Sequence, residues 1–239
     1  MTRIWFSLLA MLLFAQVAQA ALPNIIHATY HVHRGGLLIG SIDEKFERFG
    51  EHGDRYRITS RTRAEGAIAL FYRDQFHYTS EGRIGTTGFI PAVFSSSRKS
   101  DTSRNFTTRF DWDKNELVRE HLSDNQMEQE IFALSAGTQD RLSSMYQFMV
   151  VAPRGPSIAT TMTQGKQAEQ YVYLKQGEAK LSTLAGDFET VHYARDTKQG
   201  GTKAQMWLAK TKYHVPVRVV FQDTKGAIFE QTLNKLEMQ

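Results

Sequence analysis

The sequence predicts a mainly β protein: a curled antiparallel sheet or partial barrel enclosing one amphipathic helix. Three observations predict it. Strand-like segments with period-two alternation recur at short spacing, separated by turn residues. Only residues 137–151 carry helical periodicity, with Leu142, Met145, Tyr146 and Met149 at i, i+3, i+4 and i+7 on one stripe. So many strands cannot stay flat and open, and curling around the one apolar helix is the economical solution.

The first twenty residues stand apart. Arg3 is a short positive start, residues 4–14 are apolar, and Ala18-Gln19-Ala20 is a small-residue cleavage site. That is an export signal, cleaved after Ala20. The apolar run is shorter than the ~20 residues a membrane span needs, so no transmembrane anchor is expected. The chain of 239 residues has no cysteine and a formal charge of +4. The first fact excludes disulfides, a thiol nucleophile and a lipid-modified cysteine. The second is too small to call for a nucleic-acid partner. The expectation is one β-rich domain over residues 21–239, exported to a bacterial periplasm and stable through its core.

Each element has its reason. Residues 24–34 and 37–49 flank the turn at Gly35-Gly36, and Gly40 suits a bulge. Residues 55–64 alternate strictly, with Arg55, Arg57, Arg61 and Arg63 on one side and Tyr56 and Ile58 on the other. Residues 67–72 and 76–81 read as a hairpin about Arg73-Asp74. Residues 84–94 contain Gly85, Gly88 and Pro91, which suits an edge or a bend. Residues 95–104 form a polar loop. Phe106, Thr108, Phe110 and Trp112 share one strand face, and residues 117–122 follow a turn at 113–115. Thr138 is a good N-cap, Asp140 suits the first helical turn, and Pro153 stops the helix. Strands are then expected at 158–163, 170–175, 179–183, 188–195, 204–209, 215–222 and 228–236. Turns fall at 185–187, 199–201 and 224–226.

GTQDRLSSMYQFM at 137–149, with ALFYRD at 69–74, FDW at 110–112 and YVYLKQGEAKLSTLAGDF at 171–188, resembles the exported bacterial proteins catalogued as domain of unknown function 3108 (DUF3108). The resemblance runs from about Tyr30 to Leu236. It implies no activity and no catalytic residues. In shape alone, a curled sheet over an apolar helix is similar to the periplasmic lipoprotein carriers, and shape does not fix function.

Candidate chemistry is sparse. His27, His31 and His33 share a strand face, but no further ligand stands at a metal-binding spacing, so no metal and no cofactor is expected. Asp140 and Arg141 read as a helix cap and an ion pair. The arginine row either pairs with Asp43, Glu44 and Glu47 on the preceding strand or binds acidic groups. The apolar set is either a solid core or the lining of a lipid-accepting cavity. The expected ligand-binding residues are therefore Leu142, Met145, Tyr146, Met149, Phe106, Phe110 and Trp112, with Arg57 and Arg61 at a head group. The leading reading is a non-enzymatic periplasmic protein that binds an apolar or amphiphilic ligand, lipid or lipid-linked glycan, with the helix or the 95–104 loop as a lid. The alternative is an envelope protein-interaction or assembly factor with a packed core, offering an edge at 84–94 to a partner strand.

Overall fold

The computed structural model describes residues 22–70, 75–124, 126–195 and 202–239. The expected export signal, the Arg73-Asp74 turn and the 199–201 turn lie outside the described residues. Fifteen strands follow in chain order: β1 (Ile25–Arg34), β2 (Leu37–Phe49), β3 (Arg55–Ala64), β4 (Gln75–Gly85), β5 (Gly88–Arg98), β6 (Phe106–Asp111), β7 (Glu116–Ser123), β8 (Gln126–Ala133), β9 (Gln139–Asp140), β10 (Ser157–Thr163), β11 (Glu169–Thr183), β12 (Gly186–Arg195), β13 (Lys203–Ala209), β14 (Pro216–Gln222) and β15 (Ile228–Met238). Among the described residues one α-helix, α1 (Ser143–Tyr146), continues into a 3-10 turn at Gln147–Met149.

All strands join one sheet in the order 8-7-6-5-4-3-2-1-15-14-13-12-11-10-9. Neighbours pair antiparallel except β9, which lies parallel to β10 through Met162↔Gln139 and Thr163↔Asp140. The first and last strands therefore meet mid-sheet, and the sheet's free edges come from the middle of the sequence. The sheet curls without closing. Its two ends are held near each other by side chains. Thr108 Oγ1 donates to the Gly165 carbonyl at 3.0 Å, and Lys166 Nζ lies 3.4 Å from Glu130 Oε1.

Alternation decides the inner face. On β3, Tyr56, Ile58 and Ser60 are buried while Arg55, Arg57, Arg61 and Arg63 are exposed. On β1, Ile26, Ala28 and Tyr30 point inward. The main apolar cluster gathers Ile26, Phe46, Tyr56, Ile58 and Phe89 with Leu142, Tyr146 and Met149 of the helical segment. Phe148, on the other side of that segment, packs with Tyr173, Val191 and Tyr193 of the second half-sheet. Each such side chain contributes roughly 1.5–3 kcal/mol on full burial.

Several expectations need correction. The helix is one α turn and one 3-10 turn, not residues 137–151, because Gln139 and Asp140 pair with β10 as a strand. Thr138 does not cap it. Thr138 is buried and its hydroxyl lies 3.1 Å from the Ser135 hydroxyl, while Asp140 Oδ1 accepts the Leu142 and Ser143 amides at 2.8 and 2.9 Å. Residues 66–70 form a 3-10 turn instead of a strand. Residues 84–94 are not an edge: they turn tightly between β4 and β5, which pair on both sides. Pro91 fits because the β5–β6 ladder begins only at Val93, and its carbonyl accepts the Trp112 indole N–H at 2.7 Å. The segments 170–175 and 179–183 are one strand, β11, with an irregularity between Lys175 and Gly177. Strand β8 was not expected, and it forms the real edge.

Candidate functional site

The segment running through β9 and α1 crosses the concave side of the sheet and is pinned there by polar groups. Ser80 Oγ on β4 donates to Asp140 Oδ2 at 2.5 Å. Since that bond uses the only Ser80 proton, the Tyr56 hydroxyl donates to Ser80 at 3.2 Å. Asp140 also accepts two backbone amides, so both its oxygens are occupied. Burial pushes its carboxyl above the ordinary range, and these donors pull it back. Gln139 Nε2 donates to the Phe89 carbonyl at 2.8 Å. The cluster is the anchor of the crossing segment.

A second inward acid stands further along. The inner face of β2 reads Ile42, Glu44, Phe46. Tyr146 Oη donates to Glu44 Oε2 at 3.1 Å and Ser60 Oγ donates to Oε1 at 3.2 Å. Burial raises the Glu44 carboxyl, with those hydroxyls and the Arg141 charge opposing. Asp140 and Glu44 thus have separate donor sets and do not form a mutually bonded acid pair. Arg141 is exposed within the concavity, its guanidinium carbon 5.0 Å from the Tyr78 ring centre.

The third feature is the seam where the sheet fails to close. A groove of about 490 Å3 is lined there by Phe106, Met162 and Tyr171 and by Ser103, Arg104, Arg119 and Lys166, with Glu169 and two glutamines. Arg119 lies over the Phe106 ring at 5.0 Å and pairs with Glu130. Arg104 pairs with Asp101 at 2.9 Å. Ser144 Oγ meets Met162 Sδ at 3.2 Å, so α1 backs the groove. The arrangement joins an apolar floor to a basic rim.

The family model for a protein of unknown function, DUF3108, matches residues 29–234. The chain belongs to the DUF3108 family. No curated protein matches this DUF3108 chain. Among solved structures it is similar to a β-barrel-like protein of domain of unknown function DUF1849 from Brucella abortus, at 12% identity and a TM-score of 0.55, covering 92% of this chain and 100% of that one. It also matches a DUF1329 family protein from Desulfovibrio piger at 11% identity and a TM-score of 0.28, covering 91% and 86%. The first likeness bears on the fold alone; the second is too low to carry an argument.

The DUF3108 fold brings seven of the sequence-predicted site residues together. Leu142, Tyr146, Met149 and Phe110 are buried in the main cluster, with Met145, Phe106 and Trp112 against it. The rings interlock: Phe46 stacks on Tyr146 at 5.8 Å, Phe110 on Trp112 at 5.9 Å, and Phe94 meets Phe106 edge-on at 5.8 Å. Phe106 alone of the seven also lines the groove. Arg57 and Arg61 are placed elsewhere, on the convex face. Arg57 pairs with Glu81 on β4 at 2.7 Å, while Glu47 pairs with Lys45. It lines a separate open hollow of about 750 Å3 at the β2–β3 turn. On the inner side the cations are Arg141, over Tyr78, and buried Arg119 on β7. His27 contacts Asp43 at 3.0 Å, and no group of three potential metal ligands occurs among the described residues. Glu44 was missed as an inner residue, although its parity with Ile42 and Phe46 gives the signal. In the described residues of this DUF3108 protein no helix is long and apolar enough to cross a membrane.

Proposed function

We propose that this protein is an exported, non-enzymatic binding protein for an amphiphile with an acidic head group, an envelope lipid or lipid-linked glycan, held in the seam groove. The observation that carries this reading is the joining of Phe106, Met162 and Tyr171 to Arg104, Arg119 and Lys166 in one groove. The apolar part of the ligand lies on the first three, at roughly 25 cal/mol per Å2 removed from water. The acidic group exchanges with Asp101 and Glu130 for Arg104 and Lys166. Of the expected 95–104 loop, Ser95–Arg98 belong to β5 and only the 3-10 turn at Thr102–Arg104 supplies Ser103 and Arg104 to the rim. Leu142, Met145, Tyr146, Met149, Phe110 and Trp112 support the groove from behind, and Arg57 and Arg61 take no part.

The test is native mass spectrometry on protein purified from the periplasm without detergent, with organic extraction. A lipid-sized adduct, lost in an Arg104→Glu, Lys166→Glu double variant that keeps its fold, is the expected result. A clean unliganded mass that persists after incubation with envelope lipids overturns the reading.

A second reading is a protein-interaction factor, and β8 favours it. This edge strand exposes its outer face, with Met127 70% and Ile131 58% accessible, while Phe132 packs inward against the main cluster. Its outer backbone groups suit an extended segment of a partner. Loss of co-purifying partners on Gln129→Pro, with an unchanged fold, is the outcome that would favour it.

A further inference from the structure

We infer that the concave face carries a second binding site, specific for a primary ammonium group, built from Glu44, Tyr30 and Tyr146. This inference goes beyond the seam groove and does not depend on it.

The starting point is a carboxylate placed among apolar side chains. Glu44 sits on β2 between Ile42 and Phe46, where the main apolar cluster meets a second one containing Ala28, Tyr30 and Phe188. Its two oxygens receive one hydroxyl each, from Tyr146 and Ser60. Each oxygen therefore keeps a free lone pair. No described cation lies within ion-pair distance of it. Arg141 is near enough to act on its charge, but its guanidinium rests over Tyr78. Asp43, the adjacent acid, faces outward to His27.

The second observation is independent. Tyr30 is 1% exposed, and its hydroxyl is buried without a partner. It is close enough to Glu44 to feel the carboxylate charge. Buried polar atoms of this kind are normally satisfied. Glu44 itself keeps part of its surface accessible among these buried apolar neighbours. Along the same row, Tyr78, paired with Ser60, is partly exposed, and Arg141, whose guanidinium lies over its ring, is exposed.

A primary ammonium fits this set. It offers three N–H donors, two for the free lone pairs of Glu44 and one for the Tyr30 oxygen. Its charge offsets the carboxylate where a hydroxyl would leave it uncompensated. The aromatic rings of Tyr30 and Tyr146 favour a cation further. The ammonium could belong to a soluble amine or to an aminolipid head group; the recognising chemistry is the same.

The experiment is isothermal titration of the purified protein with n-hexylamine and n-hexanol, at matched ionic strength. Saturable hexylamine binding, at least tenfold tighter than hexanol, is expected. Glu44→Gln should lose tenfold or more for hexylamine, and Tyr30→Phe severalfold, both with wild-type circular dichroism. A parallel arm compares lysophosphatidylethanolamine with lysophosphatidylglycerol. Preference for the former over hexylamine identifies a lipid source, and the reverse a soluble amine. Equal binding of amine and alcohol, unchanged affinity in the folded Glu44→Gln protein, or no amine binding by wild type would each overturn the site.

Discussion

Ser80 and Asp140 are 60 residues apart in sequence, and the Ser80 hydroxyl donates to Asp140 Oδ2 at 2.5 Å. This bond, with the two amides that Asp140 accepts, holds the crossing segment against β4. Asp140→Ala leaves the Leu142 and Ser143 amides unpaired in the interior, while Ser80 keeps its bond to the Tyr56 hydroxyl. The expected loss is about 2–6 kcal/mol, at roughly 1–3 kcal/mol for each of the two buried unsatisfied amides. Asp140→Asn keeps an acceptor for the amides and should cost about 1–2 kcal/mol. Urea unfolding of both variants checks the order.

Gly165 sets the width of the seam. Its φ is +105°, and a Cβ there would lie 2.2 Å from the Phe106 ring. Gly165→Ala must displace Phe106, which packs on Phe94. We expect a loss of about 1–3 kcal/mol, read as a thermal shift, together with reduced adduct in native mass spectra. A stability loss with undiminished adduct would separate the groove from ligand binding.

Arg57 and Arg61 serve as the contrast. Arg57 and Glu81 are each nearly half exposed, so their pair is worth about 0–1 kcal/mol. Arg57→Ala with Arg61→Ala should leave both the melting temperature and the adduct almost unchanged. A lost adduct would move the head-group site to the convex face.

Glu44 should write itself into the pH dependence of stability. Its carboxyl is raised above 4.5 by burial. A raised acid favours the folded state fully below its unfolded pKa, and that contribution is lost as pH rises through the folded value. Wild type should therefore lose stability relative to Glu44→Gln as pH rises from about 4, the difference levelling off once Glu44 is ionised. Paired melts from pH 4 to 8 read this difference and cancel the contributions of other groups. A pH-independent difference would place Glu44 in an ordinary solvated setting.

The fold was legible where one face is buried. The strict alternation of β3 marks Tyr56 and Ile58 as inner and the arginines as outer, and the structure agrees. It was illegible at the edge: β8, QMEQEIFA, is exposed over its first four residues, half-buries only Glu130 and Phe132, and shows no apolar–polar alternation to read. The helix was overdrawn because Gln139 and Asp140 precede an apolar stripe and take helical company from it. Their pairing with β10, a contact made only in three dimensions, overrides that local preference. For the site, periodicity gathered the apolar residues correctly. It could not tell that Met162, Lys166 and Tyr171, from the other end of the sheet, would complete a groove with Phe106. Nor did it place Glu44, whose neighbours Asp43 and Glu47 make it look like one member of an outer acidic row.

The pairing of β1 with β15 has a consequence for how the chain is made. Residues 25–133 form one meander and residues 157–238 another, and within the sheet the two halves are joined by that ladder alone. The Ile25 amide donates to the carbonyl of Gln239, just past β15. A chain emerging N-terminus first therefore holds its first strand without its β15 neighbour until residues 228–238 have emerged. The middle of the sheet is the last part to assemble, and a deletion of β15 alone should leave two separate half-sheets.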